Sequence, residues 1–66
     1  MNEYKICVTF SNMDIALNNP NNCIFNRLYD IFDNNEKSAM LQLLNMVYDT
    51  KPENVSVDEI KIISII

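Results

Sequence analysis

Ile24-Phe-Asn-Arg-Leu-Tyr-Asp-Ile-Phe-Asp33 is the stretch on which the fold turns. On a helical wheel of about 100° per residue, Ile24, Phe25, Leu28, Tyr29, Ile31 and Phe32 fill one arc of about 160°. Asn26, Arg27, Asp30 and Asp33 take the remainder. That separation predicts an amphipathic helix over about 23–33, with Asn22 as its cap. Before it, Asn18-Asn-Pro-Asn-Asn22 reads as a turn, because asparagine tolerates left-handed geometry and Pro20 fixes φ. After it, Asn34-Asn35 breaks the pattern and can cap a second helix, in which Glu36 complements the dipole of the first turn.

The second helix is expected over about 36–49. Its apolar residues, from Ala39 to Tyr48, sweep about 220° of the same wheel, more than one packing partner can cover. Ser38, Gln42, Asn45 and Asp49 are left for water, and Leu44 is expected in the core.

Outward from these helices lie two strand signals. Tyr4, Ile6, Val8 and Phe10 alternate with Lys5, Cys7 and Thr9, the pattern of a half-buried strand. Ser11 with Asp14 reads as a capping box for a short helical turn. Pro52 closes the helical region, since the residue before proline is pushed out of helix. Ser56 with Glu59 matches a capping box and would allow a terminal helix, but a strand over about 59–65 is preferred, because isoleucine is stiff at χ1 and favours strands. Ile60 and Ile62 would point one way and Ile63 and Ile65 the other, so this strand is expected to be buried on both faces. The sum is one α+β domain over residues 1–66, β–α–α–β, with a helical hairpin on a short two-stranded antiparallel sheet. Such a sheet is weak alone. A chain of 66 residues buries only about 60% of its unfolded surface. Completion by a homodimer is therefore expected, with Ile60, Ile62, Ile63 and Ile65 as the self-association residues.

Composition narrows the chemistry. There is no glycine, so neither a phosphate-cradling loop nor a nucleophile elbow can be built. There is no histidine, the commonest general base and metal ligand. Cys7 and Cys23 are two sulfurs where a closed zinc site needs four ligands. No enzyme activity, cofactor or metal is expected. The net charge of −4 argues against direct binding to nucleic acid or to an anionic membrane surface. The start of the chain carries an early acid and no long apolar run, unlike a signal peptide. A cytoplasmic location with reduced, buried thiols is the expectation. Eleven asparagines and nine isoleucines reflect AT-rich codons, a bias that fits some bacteria, their phages and several other lineages; for a phage-encoded chain the location would be the host cytosol.

The function read from this is a non-catalytic protein–protein interaction module. A phage- or mobile-element-encoded inhibitor of a larger host protein, such as a nuclease or defence factor, fits the type. Asp30, Asp33 and Glu36 would form an acidic patch for a basic partner surface, with Asp49 beside it. Met46 and Tyr48 would supply the apolar anchor. The alternative is a self-assembling structural or regulatory subunit.

Overall fold

The computed structural model describes residues 1–18 and 22–66. Five elements follow one another: β1 (Asn2–Asn12), α1 (Met13–Asn18), β2 (Ile24–Asp33), α2 (Glu36–Thr50) and β3 (Val55–Ile65). The strands form one antiparallel sheet in the order β2-β1-β3. The α+β class holds. The β–α–α–β order does not, because Ile24–Asp33 is a strand and the sheet has three strands rather than two.

The reason lies in the spacing of the apolar residues. Ile24, Leu28 and Phe32 recur every four residues, as do Phe25 and Tyr29. Four is close to one helical turn, but it is also an even number, so the same residues share one face of a strand. Half of the ten residues in β2 are isoleucine or aromatic, the types that suit a pleated surface. Tertiary context then decides. As a strand, β2 gives β1 a second partner along an unbroken register from Asn2↔Asp33 to Ser11↔Ile24. Phe25 stacks on Phe10 across that ladder at 5.2 Å between ring centroids. Asn22 thus precedes a strand and caps no helix. The turn read at Asn18–Asn22 falls partly on residues 19–21, outside the described residues.

β1 is the central strand. Tyr4, Ile6, Val8 and Phe10 are all buried on the face it shares with α2, as their alternation predicts. α2 connects the two edge strands and covers that face. It buries Ala39, Leu43 and Val47, four residues apart, against Ile6, Val8, Ile31 and Val55. Each large side chain so buried contributes about 1.5–3 kcal/mol. The core residue of the helix is Leu43 rather than Leu44, which is half-buried.

The ends of α2 are as expected. The Asn35 side chain accepts from the Ser38 N–H at 2.9 Å, and Lys51, extended at φ −74° and ψ 144°, stands before Pro52. The turn after β1 also exists, as α1, but its cap is Asn12 rather than Ser11. The Asn12 side chain accepts from Asp14 N–H and Ile15 N–H at 3.1 and 3.2 Å. Ser11 instead donates to the Asp58 carboxylate across the sheet.

β3 forms as a strand but is not buried on both faces. Ile60 and Ile62 are half-buried and Ile63 and Ile65 are exposed. Two irregularities explain the pattern. Between Thr9/Phe10 and between Lys5/Ile6 the register shifts, so Asp58 and Ile63 are extra residues without a partner on β1. The second bulge returns Ile65 to the face of Tyr4 and Ile6, not to the opposite one. With one helix for three long strands, the molecule is a slab of 44 × 21 × 13 Å. Its radius of gyration is 13.2 Å, against about 11 Å for a compact chain of this length.

Candidate interaction surface

α2 covers one face of the sheet and leaves the other to solvent. Strand pairing sets the rows of the open face. Asp30 lies beside Lys5, then Ser64; Leu28 beside Cys7, then Lys61; Asn26 beside Thr9, then Glu59. Ile24 and Phe32 lie at the ends of β2. Ile24, Leu28 and Phe32 are 60%, 72% and 56% exposed, a line of apolar side chains along an edge strand. Cys7, half-buried, backs the middle of that line. Polar contacts fix the neighbours: Thr9 donates to the Asn26 side-chain oxygen at 2.8 Å, and Lys5 pairs with Asp30 at 3.5 Å. Both members of that ion pair are about half exposed, so it is worth little in stability. Three strands about 4.8 Å apart and about ten residues long give that face a footprint of about 14 × 34 Å, on the order of 500 Å², somewhat less than the roughly 800 Å² each partner contributes to a standard protein interface.

The acidic residues read from the sequence do not converge. Asp30 is on the open face. Asp33 ends β2, where its carboxylate accepts the Asn34 N–H at 2.6 Å, and Glu36 opens α2 just beyond. Asp49 lies near the far end of α2, about 20 Å along the helix from Glu36. Met46 and Tyr48 are both exposed on α2, yet they stand about 200° apart on its wheel and mark different flanks. Tyr48 is engaged by the Lys51 ammonium at 5.3 Å from its ring centroid. The structure therefore brings Asp33 and Glu36 together and separates Asp30 from Asp49, Met46 and Tyr48, which sit beyond the sheet. The wide apolar arc of α2 does leave large side chains uncovered: Leu41 is 55% and Tyr48 57% exposed.

The line Ile24, Leu28, Phe32 was hidden in the sequence by the helical reading, which assigned all three to a core. The signal that finds them is period two, since all three are even-numbered positions of one strand.

A cleft of about 310 Å³ opens between β2 and the end of α2, lined by Phe10, Phe25, Tyr29, Val47 and Val55 with Arg27 and Lys51. Its cations are already engaged. Arg27 lies over the Phe25 ring at 5.9 Å, and the Lys51 ammonium donates to the Val55 carbonyl at 2.8 Å. No carboxylate lines it to work as acid or base. Among the described residues, no three Cys, Asp or Glu side chains gather as a metal site, and no helix is long and apolar enough to cross a membrane. Cys23 is buried at the start of β2, where its carbonyl accepts from the Asn12 N–H, and neither cysteine is in a disulfide.

The geometry defines a small α+β domain with a helix on one face of its sheet and an open, partly apolar opposite face. In comparisons with known proteins, the chain matches no family model, no curated protein and no solved structure.

Proposed function

We propose that this chain is a non-catalytic protein–protein interaction module that presents the open face of its sheet to a larger protein. The observation that supports this reading most strongly is the exposed line Ile24, Leu28 and Phe32 on the uncovered face of the sheet. These side chains together expose on the order of 400 Å², in a row interleaved with Asn26 and Asp30. They contribute nothing to the core, so their place on the surface calls for a binding role. The net charge of −4 suits a partner with a basic surface, since opposite charge accelerates encounter. The AT-rich composition suits a phage or mobile element acting in a host cytosol, where an inhibitor of a nuclease or defence factor is the fitting type.

The test is affinity capture from bacterial lysate by the tagged chain, with Ile24→Lys as the matched control. Ile24 is mostly exposed, so its replacement leaves the fold intact. The reading expects a protein retained in stoichiometric amount by the parent chain and lost with the variant. Capture that is indifferent to Ile24→Lys would place the contact elsewhere, and no stoichiometric capture from any candidate host would reject the module.

A further inference from the structure

We infer that the free edge of β2 pairs with the same edge of a second copy, in a register centred on Leu28, to give a continuous six-stranded sheet. The inference goes beyond the interaction module and stands without it, because it needs no foreign partner.

Backbone geometry comes first. The Asn12 N–H donates to the Cys23 carbonyl at 2.8 Å. Bonding alternates along an antiparallel ladder, so Phe25, Arg27, Tyr29 and Ile31 turn their N–H and C=O groups to β1. Ile24, Asn26, Leu28, Asp30 and Phe32 turn theirs to the free edge. That edge has an unbroken register with β1, no proline and no bulge. Of the devices by which natural sheets discourage edge pairing it carries only charges, Arg27 and Asp30, and neither a proline nor a bulge. β3 has two bulges, the first held in place by Ser11 and Ser56 donating to Asp58.

Side chains then select the register. Directly opposed residues in an antiparallel pair share a face, so a two-fold axis must pass through one residue of β2. With Leu28 on the axis, Leu28 meets the partner's Leu28, and Ile24 meets the partner's Phe32. Asn26 meets the partner's Asp30. On the helix-bearing side, Phe25 meets the partner's Ile31, and Arg27 meets the partner's Tyr29, a cation against an aromatic ring. No like charges oppose each other. Other centres lose this match. Centred on Tyr29, Leu28 faces Asp30 and Phe32 faces Asn26. Centred on Arg27 or on Asp30, a charge faces its own copy. The spacing of four that disguised β2 as a helix is what makes it symmetric about Leu28.

The experiment is sedimentation equilibrium of the full chain across roughly 1–100 µM, the range in which a dimer of micromolar Kd forms. The expected limiting mass is twice 7.7 kDa. Leu28→Pro should return the mass to that of one chain with an unchanged circular dichroism spectrum, because the N–H it removes bonds to nothing within the chain. Should Leu28→Pro fail to fold, Leu28→Lys replaces it; this side chain is 72% exposed, and the variant should raise Kd at least about tenfold. Ile63→Lys, on the bulged edge, should leave the dimer as it is. A single-chain mass throughout the range overturns the proposal. So does a dimer that survives Leu28→Lys, or one that Ile63→Lys dissolves and Leu28→Lys does not.

Discussion

β2 and β3 flank the same central strand, have nearly the same length and carry six apolar residues each, yet they meet solvent differently. β2 runs in register with β1 from end to end. β3 slips twice, at Asp58 and Ile63. Each slip bends the strand and interrupts the row of groups a further strand would need. The lesson is that an apolar edge is not by itself an association site. Isoleucine content drew attention to β3 as the place where chains would meet. Bond geometry turns that expectation toward β2, whose apolar residues are no more numerous but are regularly spaced on an unbroken ladder.

The largest expected effect removes both edges at once. Leu43 is fully buried under the helix, and Leu43→Ala should cost about 2–5 kcal/mol, read as a lower urea midpoint. For a domain this small that is enough to unfold most of the population, so strand signals and any association should vanish together. A loss below about 1 kcal/mol would mean that the helix does not seal the sheet as described.

A smaller change should make the two edges alike. Deleting Ile63 removes the second bulge and lets Ser64 follow Ile62 opposite β1 without a slip. The folded chain should then offer two regular edges, and light scattering should show species larger than a dimer growing with concentration. If the deletion variant assembles no further than the parent, bulging is not what silences β3. The smallest effect lies on the open face. Asp30→Asn removes the exposed pair with Lys5 and should cost about 0.2–1 kcal/mol in denaturant unfolding, less in high salt, where the pair is already screened.

Much of this fold was legible in the sequence, and the exceptions have two causes. β1 is legible because strict alternation of Tyr4, Ile6, Val8 and Phe10 has no helical counterpart. α2 is legible because Asn35 caps it, Pro52 follows it, and good helix formers such as Ala39, Met40, Leu41 and Leu43 fill its interior. β2 carries a four-residue repeat that satisfies both periods, so its wheel looks amphipathic although the segment is extended. The need of β1 for a second neighbour, a long-range fact, settles it. The same ambiguity misplaced the candidate site. Read on a helix, Ile24, Leu28 and Phe32 became core and Asp30 became part of an acidic helical face; on the strand, all four belong to the open face of the sheet. The bulges of β3 were illegible for a different reason. At the first of them Asp58 is held by Ser11, a residue 47 positions away.

The most direct test of β2 as the associating edge is residue-resolved amide hydrogen exchange across that strand, measured at two protein concentrations. Phe25, Arg27, Tyr29 and Ile31 donate to β1 and should be protected at both. Ile24, Asn26, Leu28, Asp30 and Phe32 should exchange freely in dilute protein and, at a total concentration of about 100 times the dimer Kd, where about 7% of chains remain single, about 15-fold more slowly. Concentration-independent, rapid exchange at those five even-numbered positions, in a sample whose odd-numbered amides remain protected, would contradict the account.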